Sequence, residues 1–419
     1  MKLIKTPVKG MADMLPSDMR LRNLVLARIR KNYSSRGFME IETPAMEHIE
    51  NLTSKQGGDN EKLIFKVLKR GAELRRAIDA GNEEFADSGL RYDLTVPLVR
   101  YYSNNKEKLP VPFKALQIGN VWRADNPQKG RFRQFTQCDI DILGDETDLA
   151  EIELISATAG TLTDLFEGTD ITGFTVHIND RRILAAAAVK AGFREEDLES
   201  VLISLDKYDK IGKDGVRAEL IENGFSAEAA DNYLGLYDGG DVSCEEFCDK
   251  IGEELLPVSV KDWLLEIMEC AAAETGDNVT LKFDPSLVRG MGYYTGTIFE
   301  VTVDGYGFSI AGGGRYDRMV GKFTGQETCA CGFSIGFERI ITILKDKLQD
   351  TVKLPEGSTA ILIDKKVNAE KKLAALHQAA ELREQGLTVI VEPMRKNMKQ
   401  QIALLEDEGY TEFLKIYND

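Results

Sequence analysis

Cysteine and histidine are scarce in this chain of 419 residues, which has six of the first and three of the second. Six cysteines without regular spacing do not make a disulfide framework in a chain this long. Cys329 and Cys331 stand two apart, but no second cysteine pair lies nearby, so no zinc site or other metal centre is expected. His48, His177 and His377 are scattered and are assigned no chemistry. Long apolar runs are missing too. None reaches the ~20 residues of a bilayer-spanning helix. The opening MKLIKTPVKGMADMLP has no apolar signal core. These absences predict a reducing, cytoplasmic setting without a membrane partner. Positive charge is in deficit: 53 Lys and Arg face 69 Asp and Glu, a net charge of −16. That argues against a general polyanion-binding surface, such as one for DNA, which needs clustered cations, but it leaves room for a local basic site.

What is present is ordinary for a globular protein: 43% hydrophobic and 29% charged residues. At ~150 residues per domain the length allows roughly two to four domains. From Ser17, SDMRLRNLVLARIRKNYSSRGF reads as an amphipathic helix capped by Ser17, with Leu21, Leu24, Val25 and Ile29 on one face and Gly37 ending it. FMEIETP alternates as a strand up to Pro44, and FKALQIGNVWR is the next clear strand. Strands with no helix between them predict antiparallel pairing. From about Arg182 to Asn278 the pattern turns helical and acidic, and strand signals resume with VTLKFDPSLVRGMGYYTGTIFEVTVDG. After the linker LQDTVKLPEGS, a β-α-β-α-β alternation predicts a small parallel sheet with right-handed crossovers.

Against the acidic background stands RADNPQKGRFRQFTQCDIDILG, which begins at Arg123. ADNPQKG is rich in turn formers and reads as a hairpin loop. The strand that follows has period two. Arg131, Arg133, Phe135, Gln137, Asp139 and Asp141 fall on one face, and Phe132, Cys138, Ile140 and Ile142 on the other. The apolar face suits a core. The polar face fits two readings. One is a solvated face, with Arg133 and Asp139 in structural ion pairs. The other is the floor of a site for a ligand polyanionic at one end and cationic at the other, as ATP plus an amino acid would be. LRYDLTVPLVRYY, LVRGMGYYTGTIFEV and GFSIGFERI add Arg91, Asp93, Thr95, Arg289, two tyrosines, Glu338 and Arg339 to the candidates. The glycines of AGGGRYD permit close backbone packing. They lack the Lys-Ser/Thr of a P-loop and are not read as a phosphate cradle.

These segments carry a resemblance. GFMEIETP resembles motif 1 of the class II aminoacyl-tRNA synthetases, VWRADNPQKGRFRQF resembles motif 2 and GFSIGFERI motif 3. LVRGMGYYTGTIFEV and AGGGRYD resemble the two histidine-specific motifs of the histidyl-tRNA synthetase family, and LRYDLTVP and LDKYDKIG are similar to it as well. The likeness runs in order along nearly the whole chain. It implies an α+β fold: an antiparallel sheet flanked by helices, with a helical insertion and a C-terminal α/β anticodon-binding domain. The expected division is 1–182 and 279–346 for the catalytic core, 183–278 for the insertion and 357–419 for the C-terminal domain.

The resemblance also implies a reaction, the ATP-dependent activation of histidine and its transfer to tRNA-His, with Mg²⁺ bridging the phosphates and a homodimer as the working form. By resemblance Arg123 meets the α-phosphate, Arg339 the γ-phosphate, and Phe135 stacks on adenine, while Asp125 and Arg131 belong to the ATP loop. Arg289, a lone cation beside glycines, stands between the attacking carboxylate and the α-phosphate. Asp93, Thr95 and Gln137 are expected at the α-amino group. Asp141 and Tyr294 would read the imidazole nitrogens with Tyr293 lining the pocket, although a regular strand would put the two tyrosines on opposite faces.

Three departures and two rivals accompany the likeness. Asp125 stands where the family usually has Glu, Gly292 where it has Asp, and the sequence stops just after the third strand of the last segment. The main alternative is the histidine-binding regulatory subunit of ATP phosphoribosyltransferase, which charges no tRNA and lacks the anticodon domain. The other is a class II synthetase of different amino-acid specificity.

Overall fold

A computed structural model describes residues 3–53, 58–81, 85–127, 131–238, 242–290, 292–347, 354 and 356–418. Residues 128–130 of the expected hairpin loop, and most of the expected linker, lie outside them. Two compact units result: Met1–Asp13 with Val25–Lys347, and Met14–Leu24 with Leu348–Asp419.

The first unit contains β1 (Met39–Ile41), β2 (Met46–His48), β3 (Lys66–Leu68), β4 (Ala86–Leu90), β5 (Phe113–Trp122), β6 (Gln134–Leu143), β7 (Phe174–Asp180), β8 (Val279–Phe283), β9 (Thr297–Thr302), β10 (Ser309–Arg315) and β11 (Ala330–Gly336). Eight of these form one sheet in the order β1-β5-β6-β11-β10-β9-β7-β8, and β2, β4 and β3 form a small separate sheet. The interior pairings are antiparallel, as expected. The two outer pairings, β1 with β5 and β7 with β8, are parallel. Each joins strands separated by a long stretch of chain, the condition a parallel pair requires.

One face of β6 carries Cys138, Ile140 and Ile142 into the core, all essentially inaccessible. The helix Leu149–Phe166 packs on β6 and β11 and buries Leu154, Ile155, Leu162 and Leu165. The long first helix spans Pro16–Ser35, so Ser17 lies inside its first turn instead of capping it. Proline is favoured at that opening position because its missing N–H would have no partner there. Of its four expected core residues, Leu21, Val25 and Ile29 are buried and Leu24 is exposed. The buried stripe follows the i, i+4 row and continues to Tyr33, which leaves Leu24 at its margin. Among the described residues six α-helices run between β7 and β8: Arg181–Ala191, Leu198–Leu205, Tyr208–Glu222, Ala227–Gly235, Cys244–Ile251 and Val258–Glu274.

In the second unit β12 (Thr359–Ile363), β13 (Val389–Pro393) and β14 (Glu412–Ile416) form a parallel sheet in the order β13-β12-β14. The helices Ala369–Glu384 and Met398–Asp407 connect them, each capped by an asparagine side chain, Asn368 and Asn397. Among the described residues no helix is long and apolar enough to cross a membrane.

Candidate active site

The polar face of β6 opens onto a cavity of about 310 Å³, floored by β6, β11 and β10. Phe135, Gln137, Asp139 and Asp141 all line it, at the spacing of alternate residues. The alternation fails ahead of the strand. β6 begins at Gln134, so Phe132, expected in the core, lines the cavity beside Arg131. Arg133 instead braces the preceding loop: its Nε donates to Asp125 O at 2.9 Å, and its N–H to Gly10 O at 2.7 Å. Gly10 has φ +82°, and a Cβ there would stand 2.7 Å from Arg133 Cγ.

Four arginines converge on the cavity: Arg123, Arg131, Arg289 and Arg339. Arg123 lies between two rings, with Cζ 4.3 Å from the Tyr92 centroid and 5.1 Å from that of Phe135. Its Nε donates to Tyr92 O at 3.1 Å, which fixes the plane of the guanidinium. Arg131 stands 3.9 Å from Asp125. Arg339, in the first turn of the helix Phe337–Lys347, donates to Ser309 O at 2.5 Å and to Ser309 Oγ at 3.0 Å. Burial lowers its pKa, Glu300 opposes, and Arg131, Arg289 and Arg123 lower it further. Cations that disfavour one another this way form a site for an anion. Arg289, expected as a lone cation, is paired: Nη1 donates to Glu300 Oε2 on β9 at 2.5 Å. Burial works against its charge, but Tyr294 and Glu300 together hold its pKa above the ordinary arginine value. Position 292 has no carboxylate, and Glu300 supplies one beside Arg289.

The same cavity holds three buried carboxyls, Asp93, Asp139 and Asp141. Asp93 precedes the helix Thr95–Asn105, and its Oδ1 accepts from Val96 N at 3.1 Å. Burial pushes its pKa up against that bond and Arg123. Asp139 is pushed well above the usual carboxylate range by burial and by Asp141, with the Ser334 bond pulling it down. Asp141 is raised to about 7 by burial, opposed by the hydroxyl of Tyr316, which donates to Oδ1 at 2.6 Å. Tyr293 and Tyr294 lie in irregular chain ahead of β9, not in a strand, so both rings reach the cavity with centroids 4.8 Å apart. Tyr293 interacts with Thr95, and Tyr294 with Arg289. Gln137 Oε1 is buried with no partner among the described residues. Arg91 lines none of this. It donates to Asn120 O at 2.8 Å and to Thr43 O at 2.7 Å, filling the space where Gly119 has no side chain.

The glycines of β10 and β11 have steric reasons. A Cβ at Gly312 would stand 2.6 Å from Arg289 Nη1, and one at Gly332 would stand 2.0 Å from Asp141 Oδ1. At Gly313 it would meet Gly332 O at 1.9 Å. The run is therefore a bare surface against which a guanidinium, a carboxylate and a neighbouring backbone lie close.

The twelve residues to which the resemblance gives a role, Asp93, Thr95, Arg123, Asp125, Arg131, Phe135, Gln137, Asp141, Arg289, Tyr293, Tyr294 and Arg339, line this cavity, as does Glu338, while the candidate Arg91 does not. Tyr316 and Ser334 also line it, and Glu300 reaches it only through Arg289; the sequence does not single these three out. Glu300 had a signal, being a charge inside the apolar TIFEV, and Tyr316 directly follows AGGGR. Ser334 had none beyond its place in GFSIG. Chemically, the arrangement accepts a ligand with phosphates against the arginines and an amine or ring N–H against the carboxyls.

Comparison with known proteins gives a family. The family model described as Histidyl-tRNA synthetase matches residues 10–340. Histidine–tRNA ligase of Leifsonia xyli subsp. xyli is 44% identical, covering 97% of this chain and 94% of its own length. A probable histidine–tRNA ligase of Tropheryma whipplei is 40% identical over 99% of this chain and 96% of its own. Among solved structures, histidyl-tRNA synthetase from Nostoc sp. PCC 7120 superposes with a TM-score of 0.75 at 28% identity, covering 97% of this chain and 90% of that one. An ATP phosphoribosyltransferase regulatory subunit/histidyl-tRNA synthetase from Bacillus halodurans C gives 0.78 at 20% identity with full coverage of both chains, a likeness of fold.

Proposed function

The chain belongs to the histidyl-tRNA synthetase family, and from that membership we infer that it is a histidine–tRNA ligase. It activates histidine with ATP, releasing pyrophosphate, and passes the histidyl group from the adenylate to a ribose hydroxyl at the 3′ end of tRNA-His. The observation that carries the reading is the polarity of one cavity, with four arginines and three buried carboxyls around a floor of alternate residues on β6.

The first step brings two anions together, so neutralising charge and holding the reactants in line are the main tasks. Arg123, its guanidinium plane held by Tyr92, meets the α-phosphate. Arg339 meets the γ-phosphate at the positive end of its helix. Phe135 stacks on the adenine, and Asp125 and Arg131 hold the outer part of the nucleotide. Arg289 bridges the histidine carboxylate and the α-phosphorus, aimed by Glu300. At the other end Asp93, Thr95 and Gln137 take the α-ammonium. Asp141 and Tyr294 satisfy the donor and the acceptor of a neutral imidazole, with Tyr293 closing the pocket. A polar site of this kind rejects amino acids that leave its groups unpaired.

Among the described residues no cluster of three metal-ligating side chains exists. Mg²⁺ arriving with ATP needs no such cluster, since it keeps several waters and takes only one or two carboxylates besides the phosphates. Asp125 and Glu338 line the cavity among the arginines and would hold it. When bound it neutralises phosphate charge.

The second unit is the anticodon-side module, the helices between β7 and β8 are the insertion, and the working form is a cytoplasmic homodimer built on the first helix and β1. The regulatory-subunit reading is not favoured, because relatives matched over nearly their full length are named as ligases. ATP–pyrophosphate exchange with each amino acid tests the proposal. Exchange with histidine alone is expected; no exchange would select the regulatory subunit, and exchange with another amino acid a different synthetase.

A further inference from the structure

We propose that Asp139 and Ser334 are positioning residues: through one shared hydroxyl they dictate which end of the Gln137 amide faces the substrate, and thereby the affinity for the substrate's α-amino group. The proposal rests on the reading of this cavity as a histidine site.

Ser334 on β11 is the cross-strand partner of Asp139 on β6. Its hydroxyl donates to Asp139 Oδ1 at 2.5 Å, and Gln137 Nε2 donates to Ser334 Oγ at 3.0 Å. A hydroxyl has one proton. Once that proton is committed to the carboxylate, Ser334 can only accept, and only the nitrogen end of an amide can serve it. The two ends of a glutamine amide are otherwise nearly interchangeable in shape. The relay removes that ambiguity and turns Oε1 to the opposite end, where it is buried and without a partner among the described residues. Buried acceptors are ordinarily satisfied, so an unpaired one in a residue lining the cavity is a place kept for a donor. The ammonium of an amino acid supplies it. The neighbours of Gln137 on both adjacent strands are glycines, Gly119 and Gly336, so neither position contributes a side chain that could compete.

The direction of the relay depends on the Asp139 proton. When the carboxyl is ionised, Oε1 faces the substrate. When it is protonated, it donates to Ser334, Ser334 turns its own proton toward Gln137, and the amide presents nitrogen to an ammonium. Asp141 on its own strand, and Asp93 and Arg123 from the segments packed against it, act on this carboxyl, with Arg91 and Tyr33 also in range. Selectivity for the α-amine therefore rises with pH through the elevated Asp139 pKa.

The test compares equilibrium binding of L-histidine and imidazole-4-propionic acid, which keeps ring and carboxylate but has no amine. In the wild type, histidine is expected to gain over the analogue as the pH is raised and Asp139 ionises. Ser334→Ala should weaken histidine roughly fivefold or more, leave the analogue within twofold, and flatten the pH dependence. Ser334→Thr, which keeps the hydroxyl, should restore all three. Asp139→Asn imitates the protonated relay and should weaken histidine at least as much as Ser334→Ala. In steady state the loss should appear in the KM for histidine and not in kcat. Ser334→Ala that weakens both ligands equally, or neither, overturns the relay. A wild type that does not bind histidine overturns the reading of the site itself, a result visible before any variant is made.

Discussion

The Tyr316 hydroxyl donates to Asp141 Oδ1 across 2.6 Å, joining residues 175 positions apart in the chain, both of them buried. The bond leaves the carboxylate its second oxygen and fixes its plane. Asp141→Ala should weaken histidine by about 1–3 kcal/mol with little effect on ATP. Tyr316→Phe should act in the same direction but less, because it removes only the support. Calorimetric titration with each ligand measures both, and wild-type histidine affinity in Asp141→Ala would mean that Asp141 reads no part of it.

The same carboxyl predicts a proton count. With a pKa raised to about 7 by burial, Asp141 in the empty site is mostly protonated at pH 6. Accepting an imidazole N–H favours the ionised form, so histidine binding at pH 6 expels that proton. Titrations in buffers of different ionisation enthalpy should show more proton release in the wild type than in Asp141→Asn. The difference should vanish by about pH 8, where the carboxyl is already ionised.

Arg289 should matter to rate more than to binding. Charge on the α-phosphoryl group grows only in the transition state, so Arg289→Ala should slow adenylate formation by at least ~10²-fold in single-turnover kinetics. Histidine affinity should change far less. Glu300→Gln keeps the guanidinium but loosens its aim, and its effect should be intermediate.

Glu151 and Arg315 form a buried two-bond ion pair, with Nε–Oε1 at 2.7 Å and Nη2–Oε2 at 2.5 Å, and Arg315 Nη2 donates to Thr147 O at 2.8 Å. Glu151→Ala leaves that buried guanidinium with only the longer carboxylate contact, from Nη1 to Asp317 Oδ1 at 3.5 Å, and should destabilise the fold by about 3 kcal/mol in urea unfolding. The double replacement Glu151→Leu with Arg315→Met should lose much less. Equal losses would show that the charge pair contributes nothing beyond packing.

A chain ending at Lys347 tests the assignment of the second unit. Histidine-dependent ATP–pyrophosphate exchange should stay close to intact, because every residue of the cavity precedes that point. Affinity for tRNA-His should fall and should depend less on salt, since phosphate contacts are lost. Unchanged tRNA affinity would remove the unit from the tRNA-binding surface.

Alternation along β6 was legible because period two follows from strand geometry alone, so Phe135, Gln137, Asp139 and Asp141 needed no tertiary information. Where the strand begins was not legible, and Phe132 and Arg133 changed places as a result. A regular strand would put Tyr293 and Tyr294 on opposite faces, but that stretch of chain is not a strand and both line the cavity. The partners of the site residues were the least visible. Glu300 meets Arg289 from β9, eleven residues further on, and Tyr316 reaches Asp141 only once β10 has paired with β11 and β11 with β6. Local pattern carries elements and their faces. It does not carry contacts between distant segments.

The bare surface of β10 and β11 inverts the usual meaning of an alanine scan. At most positions alanine subtracts atoms, and a lost activity is credited to what was removed. At Gly312 and Gly332 alanine is an addition, a methyl group 2.6 Å from a guanidinium nitrogen and 2.0 Å from a carboxylate oxygen. Gly332→Ala would therefore mimic an Asp141 defect, and Gly312→Ala an Arg289 defect, with both charged residues still present. Part of the information that specifies this site is written as vacant volume.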